Sequence, residues 1–151
     1  MKEALEIFGQ LFLAAILGGL IGLERKIANK PAGIRTYALV SLGSALFCLI
    51  SQLAFSASLS LDPSRIASQI IVGIGFVGAG VIIFHRSKIR GITTAASLWV
   101  TAGIGMAVGF KLYLLALLTT LLVLIILVIF WLIEVPFARK YSLKKEINEM
   151  E

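Results

Sequence analysis

Five long runs of apolar residues dominate this chain and leave little room between them. The runs cover about 5–23, 37–55, 66–84, 93–110 and 112–133. Each has roughly the 17–25 residues that a helix needs to cross about 30 Å of hydrocarbon. Transmembrane strands would instead alternate apolar and polar residues over about ten positions, and no run here does so. The sequence therefore predicts an all-α membrane protein built as a five-transmembrane-helix bundle.

The overall composition excludes most soluble classes. Of the 151 residues, 59% are hydrophobic and only 15% are charged, with a mean hydropathy of +1.00. A soluble domain is about half apolar and about a quarter charged. A soluble enzyme domain, a disordered segment and a typical nucleic-acid-binding module are therefore excluded, despite the net charge of +6. We expect a transmembrane domain over residues 1–135 and a cytoplasmic amphipathic tail over residues 136–151, with the lipid bilayer as the surroundings.

The basic residues predict the orientation of the bundle. Four lie between the first two runs, three between the third and fourth, and four in the tail, so eleven of the fourteen fall on one side. Cytoplasmic loops carry an excess of Lys and Arg. We therefore expect the N-terminus outside and the C-terminus in the cytoplasm.

Charged residues at the ends of the apolar runs are the first candidates for a functional site. Glu24 and Arg25 close the first run, and Arg35 and Thr36 open the second. Charged side chains near lipid form ion pairs, face the interior of the protein or reach the interface with water. These residues form either a simple cytoplasmic anchor pair or, as a polar network at the helix ends, a gate or docking surface at the cytoplasmic mouth.

The third and fourth runs each begin with a predicted helix cap. Asp62 precedes a proline and lies three residues before Arg65, which is the pattern of an N-cap with a first-turn ion pair. Thr93 or Thr94 is the expected cap of the fourth run.

The third run contains a glycine cluster made of Gly73, Gly75, Gly78 and Gly80. It includes a formal G-x-G-x-x-G, but a dinucleotide site also needs a preceding strand and an acid about 20 residues later. No acid lies between Asp62 and Glu134. The cluster predicts close helix packing, with a kinked or broken helix of the transporter type as the alternative.

Other small residues recur at helical spacing. Gly18 and Gly22 form one G-x-x-x-G step, Gly105 and Gly109 form another, and the second run carries a small face that includes Ser41. The fifth run is mostly Leu, Ile and Val. We expect the first four spans to pack tightly and the fifth to lie at the lipid-facing rim.

No catalytic, metal or cofactor site is predicted. A Mg²⁺ ion requires converging carboxylates. Among the few acids near the span ends, Asp62 is predicted on the opposite side from Glu24 and Glu134, and no two of them are predicted to converge within the membrane. The single histidine has no partner for nucleophilic catalysis or metal binding. We therefore expect a protein that is not an enzyme, with no metal, no cofactor and no nucleic-acid partner.

Four motifs, in order, resemble the MgtC/SapB family of bacterial inner-membrane proteins over about residues 11–109. They are Gly-x-x-Ile-Gly-Leu-Glu-Arg at 18–25, Ala-Gly-Ile-Arg-Thr at 32–36, Asp-Pro-Ser-Arg-Ile-Ala at 62–67 leading into the glycine cluster, and Gly-Ile-Thr-Thr-Ala-Ala-Ser-Leu-Trp-Val-Thr-Ala at 91–102. The resemblance adds Trp99 to the candidate residues. Many members also carry a soluble ACT-like C-terminal domain, which we expect this sequence to lack.

The resemblance implies a role in low-Mg²⁺ growth, in survival inside macrophages or in restraint of the F-type ATP synthase. Our first hypothesis is a plasma-membrane protein that supports Mg²⁺ homeostasis by binding another membrane protein, such as an ATPase or ATP synthase. The alternative is a small homo-oligomeric ion transporter or channel with the glycine-rich third helix lining the path. A membrane enzyme is a third class, against which the lack of a catalytic cluster argues.

Overall fold

The computed structural model describes residues 1–55, 64–85 and 88–148, and it contains five helices. These are α1 (Lys2–Ile27), α2 (Ile34–Phe55), α3 (Ser64–Val81), α4 (Ile92–Gly109) and α5 (Tyr113–Asn148). Side chains are described up to residue 133, apart from a few positions beside the gaps. The all-α fold class and the five-helix count are confirmed.

Four of the helices are long and apolar enough to span a membrane, namely α1, α2, α4 and α5. The apolar part of α3, Arg65–Val81, is shorter. At 1.5 Å per residue its seventeen residues reach about 26 Å, which is the lower end of what a bilayer core requires.

The chain leaves the helical path after α3, where the sequence predicted a helix as far as residue 84. Two short strands, β1 (Ile83–His85) and β2 (Lys88–Arg90), pair antiparallel, with Phe84 opposite Ile89. Gly91 then turns the chain into α4 with a φ of 93°. A Cβ at Gly91 would collide with the backbone carbonyl of Val81. Only glycine fits where the chain comes back beside the end of α3. The third helix ends at Val81, before the predicted residue 84, because the hairpin begins there.

The core of the bundle is formed by α1, α2 and α4, which approach each other through glycines. A Cβ on Gly22 would lie 2.7 Å from the Cα of Ile34, and one on Gly109 would lie 2.7 Å from the Cβ of Cys48. Gly18 and Gly105 make equally close approaches to α2. Small residues let helix backbones approach closely in lipid, where burying apolar surface gives little drive for association. The predicted tight packing is confirmed for these three helices.

The fifth helix lies at the rim, as the sequence predicted. In its most apolar stretch 22% of residues are buried, against 56% in α4. The turn from α4 places Lys111 in the left-handed region with a φ of 61°. The N–H of Leu112 bonds to the carbonyl of Ala107, and that of Lys111 bonds to Val108. This pattern ends the helix and reverses the chain within three residues. Beyond the predicted span, α5 continues as one helix to Asn148.

The helices alternate in direction, so the first and third basic loops lie at the same end of the bundle. Arg25, Lys30 and Arg90 line one cavity there. At the opposite end Lys111 pairs with Glu6. The pattern of alternation is as predicted, while the assignment of the basic end to the cytoplasm stays a prediction.

Candidate functional site

An ion pair closes the end of α1. Arg25 is only 3% exposed, and its guanidinium donates through Nε and a terminal NH2 to both carboxylate oxygens of Glu24, at 2.6 Å for the second bond. A buried guanidinium without a counter-charge would carry a large desolvation penalty. Glu24 therefore neutralises a cation that the fold has placed inside the protein.

The chain turn after α1 holds this pair in position. Asn29 adopts a left-handed conformation with a φ of 54°. The N–H of Lys30 bonds to the carbonyl of Arg25 at 2.9 Å, and that of Asn29 bonds to Lys26 at 3.1 Å. Asparagine tolerates this conformation better than most residues. The turn brings the chain back into α2 directly beside the ion pair.

A buried hydroxyl network connects α2 to α4 near the same end. The hydroxyls of Tyr37 and Ser97 lie 2.5 Å apart. The carbonyl oxygen of Thr94 accepts from Ser97 at 3.0 Å and from Tyr37 at 3.4 Å. All three residues are almost fully buried. Both hydroxyls are therefore satisfied inside the protein, as polar groups at membrane depth must be.

One buried hydroxyl lacks such a partner. Ser41 lies where α2 crosses Gly18 and Gly105, and its Oγ has no hydrogen-bond partner among the described residues. The nearby Ser44 and Thr101 donate to carbonyls four residues earlier in their own helices. The closest helix crossing therefore buries the hydroxyl of Ser41 without a hydrogen bond, whereas the hydroxyls of Ser44 and Thr101 are satisfied.

A cavity of about 670 Å³ opens beside the ion pair. It is bounded by the loop after α1, by β2, by the first turn of α4 and by α5. The residues that line it are Arg25, Asn29, Lys30, Pro31, Ile89, Arg90, Gly91, Ile92, Thr93, Thr94, Ile126, Leu127, Phe130 and Trp131. Its wall is cationic and polar on one side and apolar along α5.

The structure brings only some of the predicted polar residues together. Glu24 and Arg25 are paired, and Thr94 lies near them with its side chain buried. Arg35 is exposed and lines a separate shallow cavity together with Thr36. The predicted network therefore extends inward from Glu24 and Arg25, away from Arg35.

The expected threonine cap of α4 is wrong. The helix begins at Ile92 with Gly91 as N-cap, and no side chain caps it. Thr93 is exposed within the first turn, whereas Thr94 is 2% exposed. The positive φ of Gly91, required by the hairpin, moves the start of the helix ahead of both threonines.

Two other predicted residues lie away from this end. Arg65 is exposed near the start of α3, at the other end of the bundle, and its expected cap Asp62 lies outside the described residues. Trp99 is 53% exposed and lines a cavity of about 300 Å³ between α3, α4 and α5.

The glycine cluster does not serve packing in the way that the sequence predicted. The helix α3 runs unbroken through all four glycines. A Cβ on Gly73, Gly75 or Gly80 would meet nothing within 4 Å, and one on Gly78 would make an ordinary 3.6 Å contact with Ala95. Gly73, Gly75 and Gly80 therefore make no close contact within the protomer, and tight packing of the first four spans does not extend to these positions.

The opposite end of the bundle is tied together by two polar contacts. Lys111 donates to Glu6 at 2.6 Å, and Gln10 donates to the hydroxyl of Tyr113 at 3.0 Å. The pKa of Lys111 is raised, mainly by its hydrogen bond with Glu6 and, to a smaller extent, by the negative charge of the Glu6 carboxylate. These contacts attach the start of α1 to the start of α5.

Sequence reasoning did not identify Tyr37 and Ser97. A signal for Ser97 was present, because Thr94, Ser97 and Thr101 follow each other at helical spacing on α4 and are all buried. Tyr37 carried no such signal, since its partners lie about sixty residues away.

Within the described residues, no group of three or more His, Cys, Asp and Glu side chains is placed to hold a metal ion. The buried polar groups instead bond to each other or to helix carbonyls. These polar contacts can stabilise a charged, partly open end of the bundle. The lack of a dedicated Mg²⁺ site stays a prediction.

Comparison with known proteins places the transmembrane part in a family. The MgtC family model matches residues 11–135. "Putative magnesium transporter YhiD" from Escherichia coli K12 is 46% identical over 130 residues, which are 83% of this chain and 60% of that protein. "Protein MgtC" from Salmonella typhimurium LT2 is 46% identical over 126 residues, which are 82% of this chain and 53% of that protein.

A third relative, an uncharacterized protein from Haemophilus influenzae, is 39% identical over 128 residues, covering 80% of this chain and 54% of that protein. The chain thus spans between 53% and 60% of the length of these curated relatives. No solved structure matches it significantly.

Proposed function

This chain belongs to the MgtC family of membrane proteins, and from that premise we propose that it supports Mg²⁺ homeostasis by binding and modulating another membrane protein. The proposed role is non-enzymatic and is exercised in the bacterial plasma membrane. An ATPase or ATP synthase subunit is the class of partner that the family resemblance implies.

The exposed glycine face of α3 is the observation that carries the proposal. Gly73, Gly75 and Gly80 have open space where a side chain would stand. In lipid, small residues allow another helix to approach closely. Gly73 and Gly80 lie seven residues apart and share one face of α3, whereas Gly75 lies on another side of the helix. Since the protomer itself does not use the face of Gly73 and Gly80, this face supports docking of a transmembrane helix from another protein.

The groove beside Gly73 favours helix docking over ion conduction. This groove, of about 450 Å³, lies between α2 and α3 and is lined mainly by apolar side chains, with Ser44 and Gln69 as its polar side chains. A path for a hydrated cation requires oxygen ligands or water along its length. An apolar wall instead fits the surface of a partner helix.

The proposal is tested by filling the glycine face without disturbing the protomer. Gly73→Leu adds a side chain to the groove face of α3 where nothing lies within 4 Å, and Gly9→Leu does the same on α1, far from the glycine cluster. Both variants are expressed in a bacterium lacking its own copy, and growth in low Mg²⁺ is measured. We expect Gly73→Leu to lose the growth support and Gly9→Leu to retain it, with equal amounts of each in the membrane.

Flux measurements separate partner binding from transport. The purified chain is reconstituted in liposomes, and Mg²⁺ and H⁺ movement is recorded against protein-free liposomes. We expect no difference between the two. Flux that depends on the chain and is lost in Gly73→Leu would instead establish the homo-oligomeric transporter, and full growth support by Gly73→Leu would refute the docking face.

A further inference from the structure

The cavity beside Arg25 has a charge that its surroundings do not balance. Three of its lining side chains are cationic, Arg25, Lys30 and Arg90, and no acid lines it among the described residues. Glu24 balances Arg25. No ion pair is found for Lys30 or Arg90 in the part of the chain that the structure describes. Among the side chains that the structure describes, the cavity therefore retains two positive charges that a bound anion would neutralise.

The first turn of α4 contributes further donors to the same cavity. Ile92, Thr93 and Thr94 line it, and the N-cap Gly91 has no side chain with which to accept from their backbone N–H groups. The N–H groups at the start of a helix lack partners within the helix and attract anions. They add to Lys30 and Arg90, the two cationic side chains of the cavity that Glu24 does not balance.

The other wall of the cavity is apolar and aromatic. It is formed by Ile126, Leu127, Phe130 and Trp131 of α5, a helix that lies at the rim of the bundle. Tryptophan is enriched at the level of lipid headgroups, where its ring contacts both apolar and polar surroundings. An occupant with an anionic head and an apolar extension would match both walls.

We propose that this cavity binds a phosphate group, presented by an anionic phospholipid headgroup or as free phosphate. Arg90 offers the planar donor geometry that suits phosphate oxygens, and Lys30 adds a point charge, while the guanidinium of Arg25 stays paired with Glu24. The site lies at the basic end of the bundle, is lined by residues other than the glycines of α3, and does not rest on the proposed function.

The test measures ligand-dependent thermal stabilisation of the full chain in neutral detergent. Phosphatidylglycerol, phosphatidylcholine and inorganic phosphate are titrated separately. We expect saturable stabilisation by phosphatidylglycerol or by inorganic phosphate, and little by phosphatidylcholine. A response to the lipid alone identifies a headgroup, and a response to inorganic phosphate alone identifies a soluble anion. No response to either would overturn the proposal.

Matched variants separate a site from general attraction to basic residues. Lys30→Gln and Arg90→Gln each remove one exposed cation from the cavity wall, whereas Lys26→Gln removes an exposed cation that does not line it. Each cation near a membrane surface is worth about fivefold in binding. We expect about a fivefold loss of affinity from each cavity variant and almost none from Lys26→Gln. Equal losses from all three would mean non-specific adsorption and would refute the site.

Discussion

A single methyl group at Gly105 should force apart and weaken the closest helix crossing in this protein. A Cβ there would lie 2.8 Å from the carbonyl carbon of Ser41 and 2.9 Å from its Cα. Carbon atoms pack best at about 3.5–4.0 Å. The clashing atoms belong to the backbone, so no side-chain rotation relieves them, and α2 and α4 must separate by about 0.7 Å or more.

Gly103 in the same helix provides the control, because a Cβ there would meet nothing within 4 Å. Replacing glycine by alanine inside a helix adds about 1 kcal/mol of helix propensity at either position. This contribution cancels when Gly105→Ala is compared with Gly103→Ala. The remaining difference is the cost of overpacking, about 1–3 kcal/mol.

The comparison is measured as the free energy of unfolding of both variants in mixed micelles, followed by helical circular dichroism as a denaturing detergent is added. We expect Gly105→Ala to unfold at a clearly lower denaturant fraction than Gly103→Ala. If the two variants are equally stable, the contact between α2 and α4 does not limit packing, and the reasoning from close approach is wrong.

Three further predictions concern the polar contacts. Glu24→Gln leaves the buried Arg25 without its counter-charge, so we expect a loss of about 3 kcal/mol in unfolding free energy. We also expect weaker growth in low Mg²⁺, with normal membrane insertion measured by fractionation. Unchanged stability and growth would contradict this role of Glu24. Tyr37→Phe removes a buried hydroxyl and should cost about 1 kcal/mol in the same unfolding assay, whereas a neutral result would show that the network contributes nothing. Since the pKa of Lys111 is raised above 10.5, its contribution to stability is complete below that pH and is lost as the pH rises through the raised pKa; Glu6→Gln should remove this alkaline loss from a pH series of thermal unfolding.

Much of the fold follows from local sequence patterns. Helix length and apolar content predict the helices, since each depends on residues close together in the chain. The G-x-x-x-G steps at Gly18 and Gly105 predict close crossings for the same reason, because residues four apart share one helix face. The Lys111 turn is likewise local, since it joins two adjacent runs.

The candidate site was less predictable because its partners are distant in sequence. The pairing of Glu24 with Arg25 is visible in the sequence, but the burial of Arg25 depends on the turn at Asn29 and on neighbouring helices. The contact between Tyr37 and Ser97 requires α2 and α4 to be placed side by side. No spacing rule within one helix reports such a contact.

The sequence by itself determined that this is a helical membrane protein with close small-residue crossings and a basic end. Tertiary structure decided which glycines make those crossings, since Gly105 touches α2 while Gly73 and Gly75 face outward. It also decided that the third run ends in a β-hairpin and that a cationic cavity forms beside Arg25. The physical reason is that helix formation depends on neighbours along the chain, whereas close approach, burial and unbalanced charge depend on which surfaces meet in space.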